Sequence, residues 1–257
     1  MIRHLDFEGV ENFRDFGGYA TACGRGLKPG LLYRSANHSR ATDADLDALQ
    51  ALGLRVVVDL RRKLERDREP SRRWAGFQAE VIENDIEGEH KDWAEFLAES
   101  DLSPQWFRKD SLVFYRQAPS DPRHIDLFSR YFRSLAAADG PILVHCAAGK
   151  DRTGMICAFT HHIAGVHRDD ILADYLLTND EARIARRAEG FAKWVSEKFG
   201  RHLPDQAART ALSVSPEYLE SALDAIDGAY GSLDAYIQTA LGVDAALRDR
   251  IHGRLLG

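Results

Sequence analysis

The chain has no apolar run long enough to cross a membrane as a helix, so integral membrane association is not expected. Its first residues, Met1-Ile2-Arg3-His4-Leu5-Asp6, lack the apolar core of a secretory signal. Cytoplasmic residence is the expectation, with export by a route that needs no cleaved signal left open. Cysteine is scarce. Cys23, Cys146 and Cys157 are odd in number and have no framework spacing, which points to free thiols in a reducing compartment. An excess of positive charge is missing too. The formal net charge of −6 argues against a general nucleic-acid binder, which is usually basic. It leaves room for a local anion site, because a few converging arginines hold an anion even on an acidic protein. Repeats, low-complexity tracts and long linkers are absent, and 257 residues suit one domain with an insertion better than two.

What is present is an alternation of short strands and helices. Residues 30–34 read as a strand. Thr42 with Asp45 three residues on forms a capping-box pattern, Asp45 standing in for the usual Glu. The helix it opens carries Leu46, Leu49 and Leu52 and stops at Gly53. Residues 55–60 and 141–145 are aliphatic runs of the kind buried in parallel sheets, and 78–82 is a weaker strand. This order predicts an α/β fold, a central and mostly parallel sheet flanked by helices. Residues 88–120 depart from the pattern. They hold Trp93, Phe96, Leu97, Trp106, Phe107, Phe114 and Tyr115 without a buried strand. They read either as a helical hairpin packed into the core or as a helical lid inserted over a cleft, the packed reading being favoured. From Arg152 onward the chain is helical. Segments 215–229, 232–241 and 244–255 complete an all-helical C-terminal part, with Ser215 as cap and Pro216 as first residue of its helix.

The segment that carries chemistry is Val144-His145-Cys146-Ala147-Ala148-Gly149-Lys150-Asp151-Arg152-Thr153-Gly154. It joins a buried strand to a helix, and its small residues let the backbone turn tightly. At such a junction successive N–H groups form an anion nest, here from Ala147, Ala148, Gly149, Lys150, Asp151 and Arg152, and the helix dipole adds to it. Five residues separate Cys146 from Arg152, so both side chains can face one bound anion. The amides, the helix end and a guanidinium favour negative charge at Cys146, which makes it the expected nucleophile toward phosphorus. Arg152 grips two phosphoryl oxygens with its planar fork, which a lysine cannot do. Thr153 is placed to hydrogen-bond the sulfur as it leaves the cysteinyl-phosphate. The leaving oxygen needs a proton, and two acids compete: Asp151 inside the loop, and Asp59 at the carboxyl end of the neighbouring buried strand. A lone Cys is more often a small apolar core residue. The strand, two glycines, the Lys-Asp-Arg-Thr run and the following helix together outweigh that reading. Sulfur or arsenate transfer, and a non-catalytic phosphate-binding module, are the alternatives from other classes. The Lys-Asp-Arg-Thr-Gly run disfavours the first, and joint retention of Cys146, Asp151 and Arg152 disfavours the second.

The string HCAAGKDRTG resembles the signature loop of the bacterial protein-tyrosine phosphatases of the HCxxGKDRTG type, dual- or triple-specificity enzymes that also accept phosphoinositides. Further segments resemble the same family: Asn12 to Tyr19, Leu32 to Ala36, Val58-Asp59-Leu60-Arg61 with Glu65, Asp174 to Asn179, and the tail from Val214 to Gly242. The resemblance covers nearly the whole chain. It implies the cysteine-phosphatase fold over 1–257 and a cysteinyl-phosphate mechanism. Cys146 would be the nucleophile and Arg152 the phosphoryl binder, with Lys150 and Asp151 in the site. It ranks Asp151 above Asp59 because the family lacks the mobile acid loop of the eukaryotic enzymes. A helical lid is implied for residues 88–120. The implied partners are a phosphotyrosine protein, a phosphoserine or phosphothreonine protein, or a phosphoinositide headgroup. No metal or cofactor is implied.

Outside the loop, Lys150, Arg34 and Arg61 are candidates for binding further phosphates or a headgroup. Arg62 reads as surface, within a charged run whose Glu65, Asp67 and Glu69 suggest a solvated helix face. Arg14-Asp15 reads as a buried ion pair and Cys157 as core. Cys23 reads as a surface thiol or, less favoured, a resolving partner for Cys146. His145 is expected to orient the loop. His161-His162 points to two helix faces and is not a metal pair.

Overall fold

The computed structural model describes residues 4–87 and 93–257. In chain order it contains β1 (Arg14–Asp15), β2 (Leu32–Ser35), α1 (Asp43–Ala51), β3 (Val56–Asp59), α2 (Lys63–Arg68), β4 (Glu80–Ile82), α3 (Trp93–Glu99), α4 (Pro104–Gln117), α5 (Pro122–Ala137) and β5 (Ile142–His145). Seven further helices follow: α6 (Asp151–Ala164), α7 (Arg168–Leu176), α8 (Glu181–Phe199), α9 (Asp205–Leu212), α10 (Pro216–Tyr230), α11 (Leu233–Thr239) and α12 (Ala245–Leu255). Among the described residues, no helix is long and apolar enough to cross a membrane.

The strands form one sheet in the order β1-β2-β5-β3-β4, antiparallel only between β1 and β2. Alternation along each strand divides the core in two. Val57 and Leu143 pack with Phe13, Leu46 and Leu49 beneath α1. Val56, Val58, Ile142 and Val144 face the other way, against α5, α6 and the C-terminal helices. Both faces are buried, which is why β3 and β5 read as continuous aliphatic runs. The α1 capping box is formed: Asp45 N–H donates to Thr42 Oγ1 at 3.2 Å and Thr42 N–H donates to Asp45 Oδ2 at 3.0 Å. Asp45 also accepts from the amides of Glu8 and Gly9. At α10 the expected cap is different. Pro216 is the first helical residue, but the Ser215 side chain makes no cap hydrogen bond.

The aromatic stretch is packed rather than laid open. Leu97, Leu102 and Phe107 form a separate apolar cluster with Ala188 and Val195 of α8 and Ala207 and Ala208 of α9. The Phe96 and Trp106 rings join its edge, 4.1 Å apart. Tyr115, at the far end of α4, belongs to the main core instead. Residues 88–92, the start of the expected lid, lie outside the described residues.

Candidate active site

The register aligns Ser35 of β2 and Asp59 of β3 with His145, the last residue of β5. Cys146 follows at the carboxyl edge of the sheet, where open α/β sheets collect ligands. The loop from Cys146 to Lys150 then leads into α6. Gly149 has φ +64°, and a Cβ there would lie 2.4 Å from the Ser35 carbonyl oxygen, with no flexible group to yield. The loop carbonyls are tied outward. That of Ala147 accepts from Asn37 N–H at 3.0 Å and Asn37 Nδ2 at 3.1 Å. That of Gly149 accepts from Asn12 Nδ2 at 2.8 Å and Arg34 Nη2 at 3.0 Å. In a planar trans peptide the N–H points opposite to the carbonyl. The amides of Ala148 and Lys150 are thereby turned to the other side, and neither donates to a backbone carbonyl. The arrangement has the form of an anion nest, closed by the N-terminus of α6.

Arg152 is held in place by Glu65. Its Nη1 donates to Oε2 at 2.6 Å, its Nη2 to Oε1 at 2.7 Å, and Nη1 also to the Leu60 carbonyl at 3.1 Å. Burial opposes ionisation of Glu65, but the Arg152 guanidinium outweighs it and draws this carboxyl down to about 2. Burial likewise opposes the charge on Arg152, and Glu65 more than offsets it, pushing that pKa up. Glu65 is itself fixed at the start of α2, where Oε2 accepts from Arg62 N–H at 2.7 Å. In the sequence this residue stands in a charged run and in the segment Val58-Asp59-Leu60-Arg61 with Glu65 that resembles the family, neither of which pairs it with Arg152. Its position three residues after Arg62, at the third turn position of a helix, was the available signal.

Asp151 opens α6 with its side chain 27% exposed. Its Oδ1 accepts from Tyr115 Oη at 3.1 Å and lies 3.2 Å from Lys150 Nζ. Lys150 departs from expectation. Its ammonium also donates to the carbonyls of Ala211 at 3.1 Å and Ser213 at 3.2 Å, so its three donors are directed to the tail and to Asp151. Cys146 is buried, and the Thr153 hydroxyl is buried without a hydrogen-bond partner.

Three expectations are corrected by burial. Asp59 is 1% exposed and clamped by Arg61, whose Nε donates to Oδ1 at 2.9 Å and Nη2 to Oδ2 at 2.7 Å. Burial opposes its ionisation, yet its charged neighbours hold the carboxyl far below the usual range. A buried carboxylate clamped in this way is engaged by Arg61 rather than turned to a leaving group, which is the geometry of a structural anion. Arg61 also donates to the Glu69 carbonyl and Ser71 Oγ, so its buried guanidinium is directed to protein groups. Arg34 has no exposed side-chain surface. It donates to Asp174 Oδ2 at 3.1 Å and to the Gly149 carbonyl, bracing the loop from behind. Arg14 supports the same brace. Its ion-pair partner is Asp174, not the expected Asp15, and its Nη1 donates to Asn12 Oδ1 at 2.6 Å. Asp15 caps a turn instead, accepting from the amides of Gly17 and Gly30.

His145 Nδ1 lies 3.4 Å from the Cys146 carbonyl, and its ring stacks on His38 at 4.7 Å. Burial pushes its pKa down to about 4, so it is neutral at pH 7 and Arg61 supplies the counter-charge to Asp59. Cys157 is buried in the core, and desolvation pushes its thiol up to about 12. Cys23 sits on an exposed turn bridged to the far end of α6 through Thr21 and Val166. The 14 residues of α6 place it about 20 Å along the helix from the loop, too far to pair with Cys146. His161 and His162 diverge, to the Phe16 carbonyl and to Asp234.

Comparison with known proteins agrees with this geometry. Residues 5–257 match the model of a family described as the tyrosine phosphatase family. A triple specificity protein phosphatase, PtpB, of Mycobacterium tuberculosis is 33% identical over 98% of this chain and 99% of its own length. A candidate tyrosine-protein phosphatase of Cupriavidus necator is 35% identical over 95% of this chain and 86% of its own. A tyrosine-protein phosphatase of Nostoc commune is 32% identical over a shorter stretch, 56% of this chain and 47% of its own. A strand-loop-helix anion nest carrying a cysteine and a clamped arginine, matched along almost its whole length, establishes that this chain belongs to the tyrosine phosphatase family and is an enzyme of the protein-tyrosine phosphatase type.

Proposed function

We propose that Cys146 is the nucleophile and Arg152 the phosphoryl clamp of a metal-independent phosphomonoesterase, with Asp151 as general acid. The observation that carries this reading is the loop whose carbonyls are tied outward around Cys146 while Glu65 holds Arg152 at its end. The Cys146 sulfur attacks phosphorus, the S–P bond forms and the ester P–O bond breaks. Asp151 gives its proton to the leaving oxygen. Water then attacks phosphorus, Asp151 takes its proton, and the S–P bond breaks to release phosphate. The unpartnered Thr153 hydroxyl is suited to receive charge on the departing sulfur. Amides and guanidinium stabilise the equatorial oxygens through both steps. We read 1–257 as one phosphatase unit, because β5, the loop and the tail helices share the main core.

Phosphotyrosine protein is the substrate we favour, followed by phosphoserine or phosphothreonine protein and phosphoinositide. The support for that breadth is the triple specificity named for the Mycobacterium relative. The free thiols fit a cytoplasmic setting. The test is hydrolysis of para-nitrophenyl phosphate in chelator, wild type beside Cys146→Ser and Asp151→Ala. Turnover that survives chelation and vanishes in Cys146→Ser is expected, with a loss of about 10²-fold or more in Asp151→Ala. Full activity in Cys146→Ser would sink the mechanism. Phosphate release from phosphotyrosine, phosphoserine and phosphothreonine peptides and from phosphoinositide vesicles then ranks the substrates.

A further inference from the structure

The loop explains the nucleophile and the clamp. The two oxygens of Asp151 are made different by Tyr115, from outside the loop, and by Lys150 within it. Tyr115 Oη donates to Oδ1 at 3.1 Å, and Lys150 Nζ approaches the same oxygen at 3.2 Å. Oδ2 accepts no hydrogen bond among the described residues, and the side chain keeps exposed surface. A second phenol stands behind the first, with Tyr175 Oη 2.7 Å from Tyr115 Oη. Tyr115 has one proton, and a carboxylate can only accept. That proton therefore goes to Asp151, and Tyr175 donates to Tyr115. Burial, reinforced by the Asp151 charge, raises both phenols well above their ordinary value, so the two donors stay protonated across the working pH range. The rings are locked as well. Tyr115 packs against Phe114, Tyr175 and Tyr218. Tyr175 presses on Gly154, where a Cβ would come within 2.8 Å of its ring.

We propose that Tyr115, held by Tyr175, is a positioning residue that occupies Asp151 Oδ1 and so leaves Oδ2 as the oxygen that carries and delivers the catalytic proton. The inference rests on Asp151 being the general acid. It makes α4 and α7, which contribute nothing to the signature loop, part of the proton-transfer apparatus. A misdirected acid matters only when the leaving group needs a proton. A phenol that is a poor leaving group depends on it, whereas dinitrophenolate departs unaided.

The experiment compares Tyr115→Phe, Asp151→Asn and the double variant with wild type, on phenyl phosphate and on 2,4-dinitrophenyl phosphate. Tyr115→Phe keeps the ring and its packing. Its kcat on phenyl phosphate is expected to fall about ten-fold with KM unchanged, against less than about two-fold on the dinitrophenyl ester. In the Asp151→Asn background the same change should add no further loss, since the two residues act as one unit. Tyr175→Phe, which leaves the Tyr115 hydroxyl in place, should show the same selectivity at about two- to three-fold and stands in if Tyr115→Phe does not fold. Equal losses on both substrates, or an undiminished loss on top of Asp151→Asn, would overturn the positioning role alone. A wild type inactive on both esters would overturn the phosphatase mechanism and this inference with it.

Discussion

Two arginine–carboxylate pairs lie side by side at the carboxyl edge of the sheet, and they differ in one respect. Arg61 and Asp59 are each 1% exposed, while Arg152 and Glu65 keep 15% and 30% of their side-chain surface. Both are bidentate, with contacts of 2.6–2.9 Å between the closest atoms. The sealed pair is turned wholly to protein groups, Arg61 donating to Asp59, the Glu69 carbonyl and Ser71 Oγ. The open pair still faces the cleft, so its arginine is oriented but not consumed. Exposure of a few side-chain atoms, not the identity of the partners, separates a structural ion pair from a binding one.

The comparison breaks most visibly in stability. Asp59→Asn leaves the Arg61 charge buried without its partner and is expected to cost about 3–5 kcal/mol, read from the urea midpoint. Glu65→Gln should cost less than Asp59→Asn, because its pair is partly hydrated. In activity the order reverses. Glu65→Gln releases Arg152 and should lower kcat/KM roughly 10²-fold by misplacing the clamp. A Glu65→Gln enzyme as active as wild type would remove the distinction drawn here.

Acid sharpens the same contrast. The Glu65 carboxyl is lowered from 4.5 to about 2 by folding. Its pair therefore contributes fully above pH 4.5 and is lost as the pH falls through about 2. The stability difference between wild type and Glu65→Gln should be constant above pH 4.5 and shrink below it. Asp59 is held lower still, so the Asp59→Asn difference should persist to more acidic pH. A separate decline starts earlier. Burial lowers His145 to about 4 and His124 to about 3, so the unfolded chain binds protons that the native one does not. Stability is expected to fall from about pH 6.5 downward, less steeply in His124→Asn. The smallest effect is predicted for Cys23. Its hydrogen bonds with Thr21 and the Arg25 backbone lower its thiol to about 7, which makes it reactive, yet Cys23→Ser should leave kcat and KM unchanged.

Much of this was legible in the sequence, and the failures share a cause. β3 and β5 announce themselves because both faces are buried and the first three positions of each are aliphatic. The loop is legible because its chemistry is contiguous, Cys146 through Gly154. Asp59, Arg61 and Arg34 were misread because a charged residue at a strand end points into the cleft or back into protein depending on what packs behind it. For Arg34 that is Asp174, 140 residues away. Tyr115 was one aromatic among several in a stretch without a motif, and only the meeting of α4 with α6 singles it out. Sequence proximity reveals the groups that react; the groups that hold them come from elsewhere in the chain.

Lys150 gives the site a selectivity of its own. A surface lysine meets an incoming phosphate at no expense beyond its hydration, but this one is already bound to the carbonyls of Ala211 and Ser213. A substrate that recruits it must first undo those two contacts and leave two peptide oxygens to find other donors. An anion approaching this ammonium would compete with the protein for it, unlike one approaching a free surface lysine.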